Sequence, residues 1–429
     1  MGCLLRHHRR QDQKFSLTPV DDRSLRGPGL LKRGTSTTSV VTTLAQGIEW
    51  LIPIQIANKT FNVQLDTGSA DLWLFCDGAK VGSGHDLYNP STGTKLDGSS
   101  FDVKYGSGYA KGDVYMDRVT TGSITANQAV GCATSVDAND AADHGLDGIM
   151  GVGFNSGSKS VNNGHPQSPS ATKSALNAVS TKSGGFLGLF RWGHPDPQMT
   201  FIENAYPQLA EGLFTADLNY KQKGVYNFGY IDQARFSTPI TYMPVRNWNY
   251  WIVETSGYAI GTNASKSDSW KVLIDSGTTN LLLPPAATLE YFSAVPSAKL
   301  VSTGNYLVPC DPAAAKLPNL TITFTPPQPV STLVQPGGSG GISTKPYQAV
   351  IPGEYIIGNP TGNNDGMCHA GINNAGSGQA WDAILGDVFM MSQLVVFDLG
   401  DENGSVDSKY PSHGQIGFAP KPVGNSSQV

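Results

Sequence analysis

From Trp50 onward the chain alternates apolar and polar residues in short runs. Examples are FNVQLDTG at 61–68, SFDVKYGSG at 100–108, VYNFGYID at 225–232 and LTITF at 320–324, each broken off by Gly, Asn, Asp or Pro. A period of two puts every second side chain on one face, which is the pattern of a half-buried strand. Helical periodicity is scarce, and only FIENAYPQLA at 201–210 and AATLEYFSAV at 286–295 predict helices. The expected fold class is all-β. Residues 1–44 are polar, basic and turn-rich. Residues 156–198 and 326–347 are poor in periodicity and rich in small residues, Gly or Pro. Loops of that length are functional or disordered, and the 156–198 stretch reads as either a surface insertion or translated intron.

The pattern repeats itself. LDTGSADLWLF at 65–75 is echoed by IDSGTTNLLLP at 274–284, and DGIMG at 147–151 by DAILG at 382–386. Two signatures recurring in the same order predict two related halves, which we place at 34–221 and 222–429 behind a leader at 1–33.

Each half therefore carries a carboxylate at the end of an apolar strand, Asp66 in Asp66-Thr67-Gly68-Ser69 and Asp275 in Asp275-Ser276-Gly277-Thr278. The glycine that follows leaves the carboxylate unobstructed, and the flanking hydroxyls can hold backbone and carboxylate by hydrogen bonds. If the halves pack about a pseudo-two-fold axis, the two carboxylates meet near it. Two such groups about 3 Å apart cannot both ionise and share one proton. One then serves as base toward a water and the other as acid toward a carbonyl.

Composition fits this picture. The 429 residues include 39% hydrophobic, only 15% charged, 50 Gly and 27 Pro, which suits a β-rich protein of the secretory route. The charge is uneven: residues 1–33 hold eight Lys/Arg and three Asp/Glu, a net of +5, while the remainder is at −10. A short basic head on an acidic body argues against nucleic-acid binding. It fits a removable segment leaning on an acidic cleft, with Lys32-Arg33 as a dibasic cleavage site; the alternative is a disordered basic terminus. No apolar run reaches the ~18 residues a membrane helix needs. MGCLLRHHRR lacks the apolar core of a signal peptide, so either the protein stays inside or, as expected from the features below, the sequence begins downstream of its true start.

The motif series resembles the pepsin-type aspartic proteases, especially their fungal members, from about Trp50 to Pro420. DTGSADLW, KYGSG, DGIMG, GLFTADL, IDSGTTNLLLP, AILGDVF and GQIGFAPK occur in the family's order. The resemblance implies a bilobal all-β fold with a central cleft, and an endopeptidase active at acid pH with Asp66 and Asp275 as its catalytic pair. It implies that Ser69 and Thr278 hold the outer oxygens of the pair and that Thr67 and Ser276 cross-brace the loops carrying Gly68 and Gly277. Tyr105, Gly106 and Ser107 would form a flap tip, with the Trp73 indole bonded to Tyr105; the alternative for Tyr105 is an ordinary strand aromatic. Gly151 and Gly386 would let a strand pass beneath each Asp loop, and Ile149 would line an apolar pocket beside the scissile bond. Ser107 stands where many fungal relatives carry an Asp linked to acceptance of Lys. Asp387 is expected either to tune Asp275 or to be an exposed loop residue.

Of five cysteines, Cys3 lies in the leader. The resemblance implies a Cys310–Cys368 disulfide and leaves Cys76 and Cys132 as a second bridge or as two buried thiols. Five Asn-x-Ser/Thr sequons, at Asn58, Asn263, Asn319, Asn403 and Asn425, fit passage through an oxidising route to a secreted or vacuolar destination. No metal or other cofactor is expected: the histidines lack ligand spacing, and there is no Gly-x-Ser-x-Gly elbow or phosphate-binding glycine loop. The expected partners are protein or peptide substrates, with no nucleic acid and no membrane, and the chain is expected to act as a monomer. A non-catalytic peptide binder of the same fold would be marked by loss of an Asp, a loop Gly or the flap Tyr; all are intact.

Overall fold

In the computed structural model, the described residues are 34–45, 49–106, 108–137, 145–154, 198–236, 238–246, 250–302, 304–326, 345–400 and 414–421. The leader, the 156–198 stretch apart from Gln198, most of 326–347, Ser107, Cys3, Asn403 and Asn425 lie outside them.

The alternating runs are strands with the burial that alternation demands. In Leu320–Phe324 the side chains of Leu320, Ile322 and Phe324 are buried and the two threonines between them are half-exposed; Tyr347–Ile351 alternates in the same way. Strands buried on both faces lose the alternation: Leu72–Phe75 and Gln393–Asp398 are buried throughout, as expected for strands covered on both sides. Among the described residues the strands form sheets of eight, six, five, four and three. The fold is all-β and pepsin-like.

Two sheets hold the echoed motifs in equivalent settings. In the eight-stranded sheet, Lys59–Asp66 runs parallel to Gly148–Gly151, which in turn pairs antiparallel with Leu72–Phe75. In the five-stranded sheet, Lys271–Ile274 runs parallel to Ala383–Leu385, which pairs antiparallel with Leu281–Leu283. Each Asp motif is thus the link between two strands that embrace a third.

The six-stranded sheet joins the halves, in the order 38–41, 222–228, 213–219, 393–398, 415–420 and 241–244. The boundary expected at 221/222 falls in the turn between Leu213–Asn219 and Gln222–Phe228, which are paired neighbours in this shared sheet. Aromatic packing crosses between the halves here. Phe154 meets Trp251 at 4.3 Å between ring centroids and Phe214 stacks on Phe397 at 4.7 Å, while Trp251 and Phe397 pack together at 5.2 Å within the second half. Such pairs each add about 0.5–1.5 kcal/mol beyond area burial. The Trp251 indole also donates to the Val152 carbonyl at 3.1 Å. This fixes the strand end beyond Gly151 to the opposite half.

Of the two expected helices, Pro285–Ser293 matches its sequence pattern, whereas the first is shorter than its pattern. Phe201–Ala205 carries a reciprocal cap in which Thr200 and Glu203 bond each other's backbone, and it gives way to a 3-10 turn at Tyr206–Gln208. Pro207 has no N–H to continue the α ladder. Cys76 is joined to Cys132 and Cys310 to Cys368. No helix among the described residues is long and apolar enough to cross a membrane. Asn58, Asn263 and Asn319 are exposed.

Candidate active site

The two Asp motifs meet, each packed against the glycine of the other. A Cβ placed on Gly68 would lie 2.6 Å from Asp275 Cγ, and one placed on Gly277 would lie 2.5 Å from Asp66 Cγ. Any side chain at either glycine would displace the opposite carboxyl. Both carboxyls are buried, at 5% and 7% exposure.

Each loop secures its own carboxylate in the same way. The Gly68 N–H donates to Asp66 Oδ1 at 2.8 Å and the Gly277 N–H to Asp275 Oδ1 at 2.9 Å. On the outer side, the Ser69 hydroxyl donates to Asp66 Oδ2, and the Thr278 hydroxyl to Asp275 Oδ2 at 2.7 Å. The loops then brace each other: the Thr67 N–H donates to Ser276 Oγ at 3.1 Å, and the Ser276 N–H to Thr67 Oγ1 at 2.9 Å. The two hydroxyls donate onward, Thr67 to the Ile274 carbonyl at 2.9 Å and Ser276 to the Leu65 carbonyl at 2.5 Å. Every side-chain polar atom of this buried brace has a partner, the condition for such a network to rigidify rather than weaken a core.

Beneath the loops run the paired glycines. A Cβ on Gly151 would lie 2.5 Å from the Asp71 nitrogen, and one on Gly386 2.5 Å from the Asn280 carbonyl oxygen. Only glycine allows the backbone to pass so close.

Burial, and next the charge of Asp275, hold the Asp66 carboxyl well above the usual carboxylate range, against the opposing pull of the Ser69 hydroxyl and the Gly68 N–H. The pair therefore keeps a proton where an isolated aspartate would have lost it. Asp387 is 1% exposed, which removes the exposed-loop alternative. Burial, then the charges of Asp275, Glu49 and Asp66, raise its carboxyl well above the ordinary value.

The hairpin of Thr94–Lys104 and Tyr109–Thr121, in register at Lys104 and Tyr109, is tied to the strand that follows the first loop. At its tip the Tyr105 N–H donates to the Gly108 carbonyl at 2.8 Å, and the Trp73 indole N–H donates to the Tyr105 hydroxyl at 2.7 Å. Ile149 sits opposite Trp73 in the sheet. It belongs to an apolar cluster with Trp73, Phe75, Phe101 and Val103, against which Tyr105 packs.

Two residues near the pair carry no mark in the sequence. Tyr226, on a strand of the shared sheet, is buried, and its phenol is pushed well above its ordinary value by burial and by the charges of Asp387, Asp66 and Asp275. Asp71 is 1% exposed, and neither carboxyl oxygen has a hydrogen-bond partner among the described residues. Only the spacing of Asp71 five residues after Asp66, mirrored by Asn280 after Asp275, could have drawn attention to it.

The chain matches the family described as eukaryotic aspartyl protease over residues 49–170 and 167–407. It is 35% identical over 403 residues to aspergillopepsin-1 of Aspergillus fumigatus, covering 92% of this chain and 84% of that protein. Against penicillopepsin-3 of Penicillium janthinellum it is 33% identical over 401 residues, with 91% and 84% covered. Against penicillopepsin-1 of Penicillium rubens the identity is 34% over 371 residues, with 85% and 78% covered.

Proposed function

Since the chain belongs to the eukaryotic aspartyl protease family and is an aspartic endopeptidase, we propose that Asp66 and Asp275 are its catalytic pair and that it cleaves internal peptide bonds at acid pH. The observation that carries this is the mutual packing of the two loops, each glycine seated against the other's carboxyl.

The chemistry follows from one proton on two carboxyls, the arrangement of which pepsin is the type example. The ionised carboxylate takes a proton from a water lying between the pair as its oxygen attacks the scissile carbonyl carbon. The protonated partner gives its proton to the carbonyl oxygen, so a neutral tetrahedral diol forms. Breakdown returns a hydroxyl proton to the carboxylates, and one carboxyl protonates the departing amide nitrogen as the C–N bond breaks. Gly68 and Gly277 N–H groups, with Ser69 and Thr278, keep both carboxyls in place throughout. Preorganised donors of this kind need no reorganisation as the charge moves.

The Tyr105 hairpin acts as a flap closing over bound peptide, with Gly106 at its tip and Trp73 fixing the Tyr105 ring. Ile149, on the apolar cluster that holds Trp73 and Phe75, supports a preference for bulky hydrophobic residues beside the cut. With Ser107 in the flap, Lys is disfavoured there. The two disulfides support maturation in an oxidising route and a secreted or vacuolar destination. The basic leader, ending at Lys32-Arg33, is removed on activation.

The test is digestion of an unfolded protein at pH 3–5 by the wild type, Asp66→Asn and Asp275→Asn. Loss of cleavage in both variants with the fold retained supports the assignment; full activity in either places the chemistry elsewhere.

A further inference from the structure

The described residues expose five large hydrophobic side chains, and the three most exposed stand together: Leu289 and Leu300 at 61% and Val301 at 56%. Leu289 lies on the helix Pro285–Ser293, which follows the strand Leu281–Leu283 that leaves the second Asp loop. Leu300 and Val301 lie on Lys299–Ser302, whose four side chains are all exposed. This strand forms an edge of the four-stranded sheet and pairs with Asn305–Pro309 on one side only. Between Leu300 and Ser302 it holds one residue more than its partner. Such a bulge re-aims side chains, and here Leu300, Val301 and Ser302 all line one hollow with Leu289. The hollow measures about 410 Å³, and its lining holds no carboxylate, Lys, Arg or His.

A row of amides ties this hollow to the second Asp loop. Thr278 holds Asp275, and two residues on Asn280 Nδ2 donates to Asn373 Oδ1 at 2.8 Å. Asn373 Nδ2 donates to Asn305 Oδ1 at 2.7 Å, and Asn305 Nδ2 to Ser302 Oγ at 2.8 Å, on the rim of the hollow. The hairpin of Lys299–Ser302 and Asn305–Pro309 is held twice more. The Asn374 N–H donates to the Gly304 carbonyl at 3.2 Å, and Tyr306 stacks on Phe292 of the helix at 3.9 Å. Loss of a single amide therefore leaves it in place. None of the three asparagines is buried, and each amide has a hydrogen and a lone pair that the row does not use.

We propose that this hollow is a docking site for an uncharged apolar side chain of the protein substrate, carried on a part of the substrate remote from the bond being cut. The proposal rests on the endopeptidase reading above, which supplies the occupant: an extended polypeptide laid across the two Asp loops. Beyond the second loop such a chain meets amides, which bond backbone N–H and C=O groups whatever the sequence, and then the hollow. Sequence is read only there. A charged side chain would lose hydration without gaining a counter-ion, whereas an aliphatic one gains by leaving water. Nine residues line the hollow. That is too few for a second copy of this chain, because a stable interface takes about 20–30 residues a side. Binding energy from a remote part of a substrate favours long chains over short ones that share a cleavage sequence.

The test compares a short peptide, cleaved by the wild type at acid pH, with the same peptide extended at either end through Gly-Ser linkers of increasing length. The extension ends in paired leucines in one series and paired lysines in the other. The leucine extension, at the end that reaches the hollow, is expected to raise kcat/KM about tenfold, and the lysine extension to leave it unchanged. Leu289→Ser with Leu300→Ser should remove the gain and keep the short peptide's kcat/KM; Leu300→Ser alone serves should the pair fail to fold. Val41→Ser, at an exposed valine of another sheet, should keep the gain. Fluorescence anisotropy of the labelled peptides on Asp66→Asn reads the same preference without turnover. A failed catalytic assignment then shows as full activity in Asp66→Asn, and a failed docking site as equal binding of all the peptides. An equal gain from both extensions, or a gain that survives the double variant, overturns the proposal. So does a dimer in sedimentation, or flotation with phosphatidylcholine vesicles, that the double variant abolishes, since the hollow then serves another partner.

Discussion

The two Asp loops share the parts that hold a carboxylate and differ in what stands around them. Both bond their Asp through the glycine N–H two residues on and through a hydroxyl three residues on, and both ride over a glycine of a third strand. Around the first loop stand Asp71, whose carboxyl has no hydrogen-bond partner among the described residues, and a long hairpin latched through Trp73 and Tyr105. Around the second stand Asn280 with its amide partner and the buried Asp387. A shared proton needs two equivalent cradles, so the cradles match. The proposed flap needs only one hairpin, and the latch that would hold it stands beside the first loop alone.

The largest effects should come from the matched parts, and should be the same on either side. Asp66→Asn and Asp275→Asn are each expected to lower kcat by about a thousandfold or more, measured on an unfolded protein at acid pH. Gly68→Ala and Gly277→Ala should do nearly as much, because the added methyl displaces the opposite carboxyl. A large inequality between the halves in these pairs would break the comparison.

Next come the glycines beneath. Gly151→Ala and Gly386→Ala each put a methyl into backbone rather than into a yielding side chain. Each is expected to cost about 3 kcal/mol in denaturant unfolding.

The unmatched parts should give smaller and one-sided effects. Trp73→Phe removes the donor to Tyr105 while keeping the apolar bulk. It should lower kcat/KM about tenfold, a loss of ~1.4 kcal/mol, with the pH profile unchanged. Asn280→Ala, which breaks the side-chain bond of the second half, should cost about 1 kcal/mol of stability and leave kcat/KM nearly intact.

The smallest expected effect is on the pH dependence of stability. Asp387 keeps its proton in the folded protein above its ordinary range, so the unfolded chain loses that proton first as pH rises, and stability declines upward from about pH 4. Asp387→Asn should flatten that decline in urea titrations between about pH 4 and 7 without abolishing it, since Asp66 and Asp71 contribute in the same direction.

How far the sequence announced this structure depends on whether a feature is local. The cradles were legible because glycine, hydroxyl and carboxylate must be neighbours in the chain to make them, and because they occur twice. Leu320–Phe324 was legible because its alternation records its burial directly. The sheet that joins the halves was not: its central pairing of Leu213–Asn219 with Gln393–Asp398 links residues almost two hundred positions apart, and no local pattern encodes such a register. The first helix was overextended because apolar spacing continued past Pro207, where the backbone donor is missing. Asp71 and Tyr226 were hidden for a further reason, and the same reason left the burial of Asp387 undecided. A lone polar residue shows nothing of its burial, which is set by strands arriving from elsewhere.

Neutron diffraction from crystals grown at acid pH would test the central claim most directly. The account predicts a single hydrogen held between the carboxyls of Asp66 and Asp275, with Gly68 and Gly277 donating to them from opposite sides. Two fully protonated carboxyls, or two bare ones, would contradict it.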